Sequence, residues 1–197
     1  DAIIDYLPPP CPAASTSLSM HAFKCVYDPQ KGFLVYVRVY SGSYQAKTLL
    51  LNSTLGLQER PSKLLQVYAD SFEEVSELGP GSIGVLIGLK HTRTGDTLHS
   101  PYTKEKPVTS SQSTGLAIPP AVFFCSVEPE SASEEPKLAF ALETIQREDP
   151  SVRVRHDPET GQTLLAGIGE LHLEIVQNRI RRDFRVAADF GRVQIGF

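Results

Sequence analysis

A small all-β unit followed by an α+β unit is the fold the sequence predicts, on three observations. Residues 20–100 are dense in β-branched and aromatic residues, broken by glycine-containing turns, with no convincing helical period. Residues 101–118 are polar and carry Pro, Ser and Thr, the composition of a flexible linker. Residues 119–197 alternate short apolar runs with two amphipathic stretches.

The first unit is announced by "HAFKCVYD", the turn "PQKG" and "FLVYVRVYSG". Further strands are expected at "KTLLLN", "SKLLQVYA" and "SIGVLIGLK", with a turn at Thr94, Gly95 and Asp96 before Thr97 and Leu98. Short strands joined by such turns suggest a small closed barrel. Ahead of it, residues 1–19 open with "DAIIDYL", read as the last turns of a helix halted by Pro8, Pro9 and Pro10.

In the second unit "AVFFCSVEP" reads as a strand and "SASEEPKLAFALETIQRED" as a helix, which Ser131 or Ser133 would cap and whose first turn suits Pro136. Pro150 ends it. "VRVRH" and "QTLLAG" form a hairpin around "DPETG", a second helix begins at "GELHLEI", and "RVAADFGRVQIG" returns as a strand. The order βαββαβ is the ferredoxin-like split βαβ arrangement.

Composition narrows the function. The 197 residues carry a net charge of −4, so no overall basic character advertises nucleic-acid binding. Arg179, Arg181, Arg182 and Arg185 nevertheless crowd one short stretch, and local patches bind phosphate even on acidic proteins. Cys11, Cys25 and Cys125 are widely spaced and form no CxxC pair, as expected of free thiols in a reducing compartment. No apolar run approaches a membrane span, and no membrane partner is expected. With neither an initiator methionine nor a leader at its start, the chain is expected to be cut from something longer.

No motif carries self-contained chemistry. "GPGSIG" matches GxGxxG, yet the strand-like "VLIGLK" follows it where a dinucleotide site needs a helix. "KGFLVYVR" departs from the RNA-recognition signature at Leu34 and Val35. "HLE" at His172–Glu174 lacks the PCxxC that would complete a zinc deaminase site. There is no GxSxG elbow and no GxxxxGK[ST] phosphate loop. No catalytic, cofactor-binding or metal-binding residue is therefore assigned.

Interaction is the remaining role, and the second helix is its seat. At 100° per residue Leu173, Val176, Ile180 and Phe184 share the face toward the sheet. Leu171 and Ile175 fall nearly opposite, beside Asn178 and Arg182, while His172, Arg179 and Asp183 line a third stripe. Leu171 and Ile175 either pack on the neighbouring helix, which carries an off-face Phe140, or receive another domain. The arginines either complement the helix dipole or contact phosphates. Gly167 and Gly169 are expected to let the chain turn sharply into the helix, with Glu170 at its positive end and Leu171 and His172 left to face a partner.

"GSIGVLIGLKHTRTGDTL", "FFCSVEPES", "RVYSG" and above all "QREDPSVRVRHDPETGQTLLAGIGELHLEI" resemble the second and third domains of the translation elongation factor G family, over nearly the whole chain. "DAIIDYLPPP" is similar to the tail of that family's GTPase domain, and "YDPQKGFLVYVRVYSG" with "IQREDPS" looks closest to its mitochondrial ribosome-releasing branch. The resemblance implies a domain II barrel and a ferredoxin-like domain III. It implies a parent GTPase using GTP and Mg, with its phosphate loop upstream of Asp1, acting on the ribosome in the mitochondrial matrix or the cytoplasm. It implies as partners the protein's own GTPase domain, the ribosome and a ribosome recycling factor, for subunit splitting after termination. Translocation is the alternative within the family, and a non-enzymatic ribosome-binding module is the alternative outside it.

Residue by residue, Gly169, Glu170, Leu171 and His172 match the helix start that faces the GTPase switch region in the family. His172, Val176 and Arg179 match the domain III side of the fusidic acid pocket of elongation factor G. Ile175 completes this interface set. Lys90 and Arg93 in the first unit, and Arg181 and Arg182 in the second, are the candidate RNA contacts. One departure stands out: many relatives have Lys-x-Gly-Asp after "YSG", where this chain has "SYQAKTLLLN".

Overall fold

The computed structural model describes residues 6–7, 16–69, 71–101, 118–158 and 161–196. Two compact units span residues 1–115 and 116–197. Cys11, most of the helix end expected near the start, and the linker expected over 101–118 lie largely outside the described residues.

The first unit contains β1 (Ser19–Asp28), β2 (Gly32–Ser41), β3 (Tyr44–Gln45), β4 (Leu50–Asn52), β5 (Leu57–Glu59), β6 (Lys63–Tyr68), β7 (Ser71–Glu74), β8 (Glu77–Leu78), β9 (Ile83–Ile87) and β10 (Thr97–His99). Eight of them form one sheet in the order β5-β4-β10-β1-β2-β9-β6-β7, and β3 pairs β8 separately. The side-chain alternation of a strand decides what is enclosed. Val35, Val37 and Val39 of β2 point into a core shared with Met20, Leu50, Leu64, Leu86 and Leu98 from five other strands of the sheet, and with Tyr44 and Leu78. On the other face Leu34, Leu65 and Val85 make a smaller cluster with Tyr36 and Phe72 packed against it.

One core enclosed by so many strands makes the unit barrel-like. The expected closure is not a complete ladder, because among the described residues no pairing joins the end strands β5 and β7. Both are short, with three and four residues. In the turn between β1 and β2, Asp28 accepts the Gln30 and Lys31 N–H groups at 2.8 and 2.9 Å, and Gly32 takes φ +77°. "GPGSIG" is a bend in this wall, since the Gly81 N–H donates to the Val39 carbonyl at 2.7 Å and β9 follows at once. The departing segment "SYQAKTLLLN" holds the buried Tyr44, whose hydroxyl donates to the Thr48 carbonyl at 2.9 Å, so this turn closes on itself.

The second unit runs β11 (Phe123–Pro129), α1 (Glu135–Glu148), β12 (Arg153–His156), β13 (Thr163–Gly167), α2 (Glu170–Arg182), β14 (Ala188–Phe190) and β15 (Gln194–Ile195). The strands are ordered β12-β13-β11-β14, all neighbours antiparallel. Each helix thus joins two strands with a third between them, the split βαβ of the ferredoxin-like fold. Leu138, Ala141, Leu142 and Ile145 of α1, and Leu173, Val176 and Ile180 of α2, cover Cys125, Val127 and Leu165 of the sheet.

Two local expectations are corrected. The final strand is broken in two: β14 pairs the C-terminal half of β11 and β15 the N-terminal half. Between them the Gly191 N–H donates to the Ser126 carbonyl at 3.0 Å, where a Cβ would stand 2.3 Å from Ser126 Oγ. Neither serine caps α1: the N-cap is Glu134, without a side-chain cap bond, while Ser131 and Ser133 bond each other at 2.9 Å.

Candidate interaction site

The turn from β13 into α2 is built on a close approach. The conformation of Gly169, φ −171° and ψ 165°, is one any residue adopts, and a Cβ there would meet nothing within 4 Å. Gly167 is the constrained glycine, since a Cβ on it would sit 2.9 Å from His172 Nδ1 and 3.1 Å from Leu173 Cδ2. The sharp entry expected of two flexible glycines is therefore the work of one missing side chain, which makes room for the imidazole. Glu170 occupies the first turn of α2, where its charge suits the positive helix end.

His172 is held inside the unit. Its Nδ1 accepts the Ile168 N–H at 3.3 Å, and its Nε2 faces Asp149 Oδ2 at 3.1 Å. A ring that accepts at Nδ1 carries its proton on Nε2 and donates it to the carboxylate. Asp149 also accepts the Ser151 N–H at 2.8 Å and its hydroxyl. Burial pushes the Asp149 carboxyl upward, but the Ser151 and His172 bonds outweigh it and hold it below the ordinary aspartate range. One helical stripe further, Arg179 is paired with Glu148 and lies 3.4 Å from Asp183. Val176 is buried between them. His172 and Arg179 thus tie α2 to the C-terminal end of α1, with Val176 in the core, and the expectation that His172 stands free toward a partner is corrected.

What α2 does present outward is apolar. Leu171 is 68% exposed and Ile175 54%, with Ile168 at 49% just before the helix. None of them belongs to the buried core of the unit. Phe140 meets Phe184 edge-on, ring centroids 6.3 Å apart. Of the remaining cations, Arg181 reaches the Ala188 carbonyl at 3.5 Å and lies 4.9 Å from the Phe190 ring, while Arg182 is exposed. These arginines crowd the last turn of α2, where they suit its negative end.

In the first unit the other candidates, Lys90 and Arg93, are exposed on the loop between β9 and β10. A buried acid pins that loop. Glu59 Oε1 accepts the Lys90 and His91 N–H groups at 2.5 and 2.8 Å, and Oε2 accepts the Thr92 N–H at 2.9 Å and the Thr92 hydroxyl. Burial raises the Glu59 carboxyl, but the bonds from the Thr92 hydroxyl and the His91 and Lys90 N–H groups, with the His91 charge, outweigh it and hold it below the ordinary glutamate range. Asp96 Oδ2 accepts the Arg93 N–H at 2.8 Å and the Asn52 amide at 2.7 Å.

Sequence reasoning missed the acids and amides that hold both surfaces. For Asp149 a signal existed: an Asp two residues before Ser at a helix end is an Asx-turn pattern. Asn52 carries the same local pattern toward Thr54 and Leu55, but its bond to Asp96, and those of Glu59 to the Lys90–Thr92 segment, span over thirty positions and left no signal. Among the described residues no group of three His, Cys, Asp or Glu could hold a metal ion, and no helix is long and apolar enough to cross a membrane. Cys25 and Cys125 are buried free thiols.

A barrel-like unit followed by a ferredoxin-like unit is the domain pair of the elongation factor G class of translation factors. Residues 17–101 match the model of elongation factor G domain 2, and residues 118–192 that of elongation factor G, domain III. The chain belongs to the elongation factor G family. It is 49% identical over 180 residues to "Ribosome-releasing factor 2, mitochondrial" of Aspergillus flavus, covering 89% of this chain and 20% of that protein. It is 38% identical over 222 residues to the protein of the same name from Pongo abelii, covering 100% of this chain and 29% of that one. A crystal structure of a protein from Thermus thermophilus superposes with a TM-score of 0.71 at 28% identity, covering 89% of this chain and 26% of that one. The chain therefore spans less than a third of the length of these relatives.

Proposed function

We propose that this chain is the middle section of a mitochondrial ribosome-releasing GTPase, relaying nucleotide state from a GTPase domain elsewhere in the protein to the ribosome. The parent protein binds GTP with Mg through that domain. Together with a ribosome recycling factor it splits subunits after termination. The relatives' names support release over translocation, and the mitochondrion over the cytoplasm.

The observation that carries the relay is the outward stripe Ile168, Leu171 and Ile175. These residues are exposed although Leu173, Val176 and Ile180 already satisfy the unit's own core. An apolar stripe on a helix start calls for a partner surface, and the proposed occupant is the parent's GTPase domain. Gly169 and Glu170 form the rim of this contact, and His172 and Arg179 fix its orientation through α1. Lys90, Arg93, Arg181 and Arg182 are the proposed RNA contacts.

The test is Leu171→Ser with Ile175→Ser in the full-length natural protein, which leaves the buried face of α2 intact. Ribosome-stimulated GTP hydrolysis and recycling-factor-dependent subunit splitting are expected to fall by about tenfold or more, from the loss of two apolar anchors at about 1–2 kcal/mol each. Wild-type rates in the double variant refute the relay. Splitting that proceeds equally without recycling factor, alongside normal translocation, assigns the parent to elongation instead.

A further inference from the structure

We infer that Glu59 is the positioning residue of the basic loop, holding Lys90, His91 and Arg93 in the arrangement that meets RNA phosphates. This rests on the reading of Lys90 and Arg93 as RNA contacts. Between Ile87 and Thr97 the chain leaves the sheet ladder, so its shape depends on what its backbone groups find. Three successive N–H groups, those of Lys90, His91 and Thr92, turn inward to one carboxylate. The Thr92 hydroxyl joins them, and the next N–H, that of Arg93, goes to Asp96.

With the amides of residues 90–93 turned inward, the side chains this stretch leaves exposed are those of Lys90, His91 and Arg93. A carboxylate suits the clamp because it has two oxygens and about four acceptor sites without a donor to clash with the amides. A glutamine would turn one NH₂ toward N–H groups. Asn52 extends the clamp to the neighbouring hairpin: its amide donates to Asp96 at 2.7 Å while its carbonyl accepts the Thr54 and Leu55 N–H groups at 3.1 Å.

Glu59 carries a negative charge beneath a surface meant for anions, which makes the sign of a charge-neutral replacement informative. By electrostatics alone, Glu59→Gln tightens binding to RNA. By positioning, it weakens binding even though a negative charge is removed.

The experiment measures binding of the 197-residue chain to mitochondrial small ribosomal subunits across a salt series, with backbone amide exchange read in parallel. The forms compared are wild type, E59Q, the pair K90A/R93A, and all three changes together. K90A/R93A is expected to weaken binding and to reduce the salt slope by about two. E59Q is expected to weaken binding about threefold to tenfold and to speed exchange at Lys90, His91 and Thr92 by about tenfold, the range of one to two lost hydrogen bonds. It should add nothing in the K90A/R93A background.

Unchanged or tighter binding by E59Q overturns the inference, as does an equal loss in both backgrounds, which marks general destabilisation. Wild-type binding by K90A/R93A overturns the RNA-contact reading itself, and is told apart because Glu59 is then untouched. If E59Q fails to fold, T92V deletes only the hydroxyl's bonds and is judged by the same signs.

Discussion

A Cβ on Gly167 would press on the imidazole that accepts the Ile168 N–H, whereas one on Gly169 would point into open space. The two glycines therefore separate experimentally. Gly167→Ala should cost about 1–3 kcal/mol, the range for forcing an extra methyl into a packed site. Gly169→Ser should add about 0.5–1 kcal/mol, because the N-cap carries no side-chain bond and a serine there supplies one while restricting the unfolded chain. Urea unfolding followed by circular dichroism reads both; equal effects of the two substitutions would contradict the close-approach account. At this scale the sequence showed that the "GIGELH" turn is special but not which glycine makes it so. A glycine's reason lies in the atoms of residues that fold against it, here His172 and Leu173, and spacing alone does not reveal them. The same holds for His172: its place on the helix was legible, and its two hydrogen bonds were not.

Helices and strands are where the sequence was most readable, because period and burial coincide. Leu173, Val176 and Ile180 were read as the buried face of α2 from spacing alone, and they are buried. The long strands β1, β2, β6 and β9 fall where β-branched runs put them. β3, β5, β7 and β8 went unread because two to four residues hold no period. The elements are further fixed by acids that titrate together with folding. Glu59 ties β5 to the loop after β9, and Asp149 ties the end of α1 to α2. Both carboxyls are depressed in the folded state, so each contributes stability that is complete above its unfolded pKa and lost as pH falls through the folded one. Loss from Glu59 should begin below about pH 4.3 and loss from Asp149 below about pH 3.9. Denaturant midpoints measured between neutral pH and about pH 3 should fall along this path. Glu59→Gln and Asp149→Asn should each lower the neutral-pH midpoint and flatten its acid decline. A variant that keeps the full wild-type pH slope would remove that carboxyl from the account.

For the molecule as a whole, the division into two units was visible in texture, and its physical basis is that each unit owns its hydrophobic core. Among the described residues, the first core is built from residues between Leu18 and Leu98, and the second from residues between Phe123 and Val193. Function was legible at this scale through long blocks such as "DPETGQTLLAGIGELHLEI", which specify a family, far more than through any reactive group. Glu59 escaped notice because its long-range bonds, such as that to Thr92, leave no local mark. Separate cores have a direct consequence. Chains of about 80 residues that bury a complete core usually fold alone, if with modest stability. Residues 17–101 and 118–196, expressed separately, should therefore each unfold cooperatively, with circular dichroism showing strand alone in the first and helix with strand in the second. The first fragment should retain the acid sensitivity assigned to Glu59, and the second the sensitivity assigned to Asp149. A fragment that stays unfolded at neutral pH would mean that its core is completed by residues outside it, and the two-unit assignment would have to be redrawn.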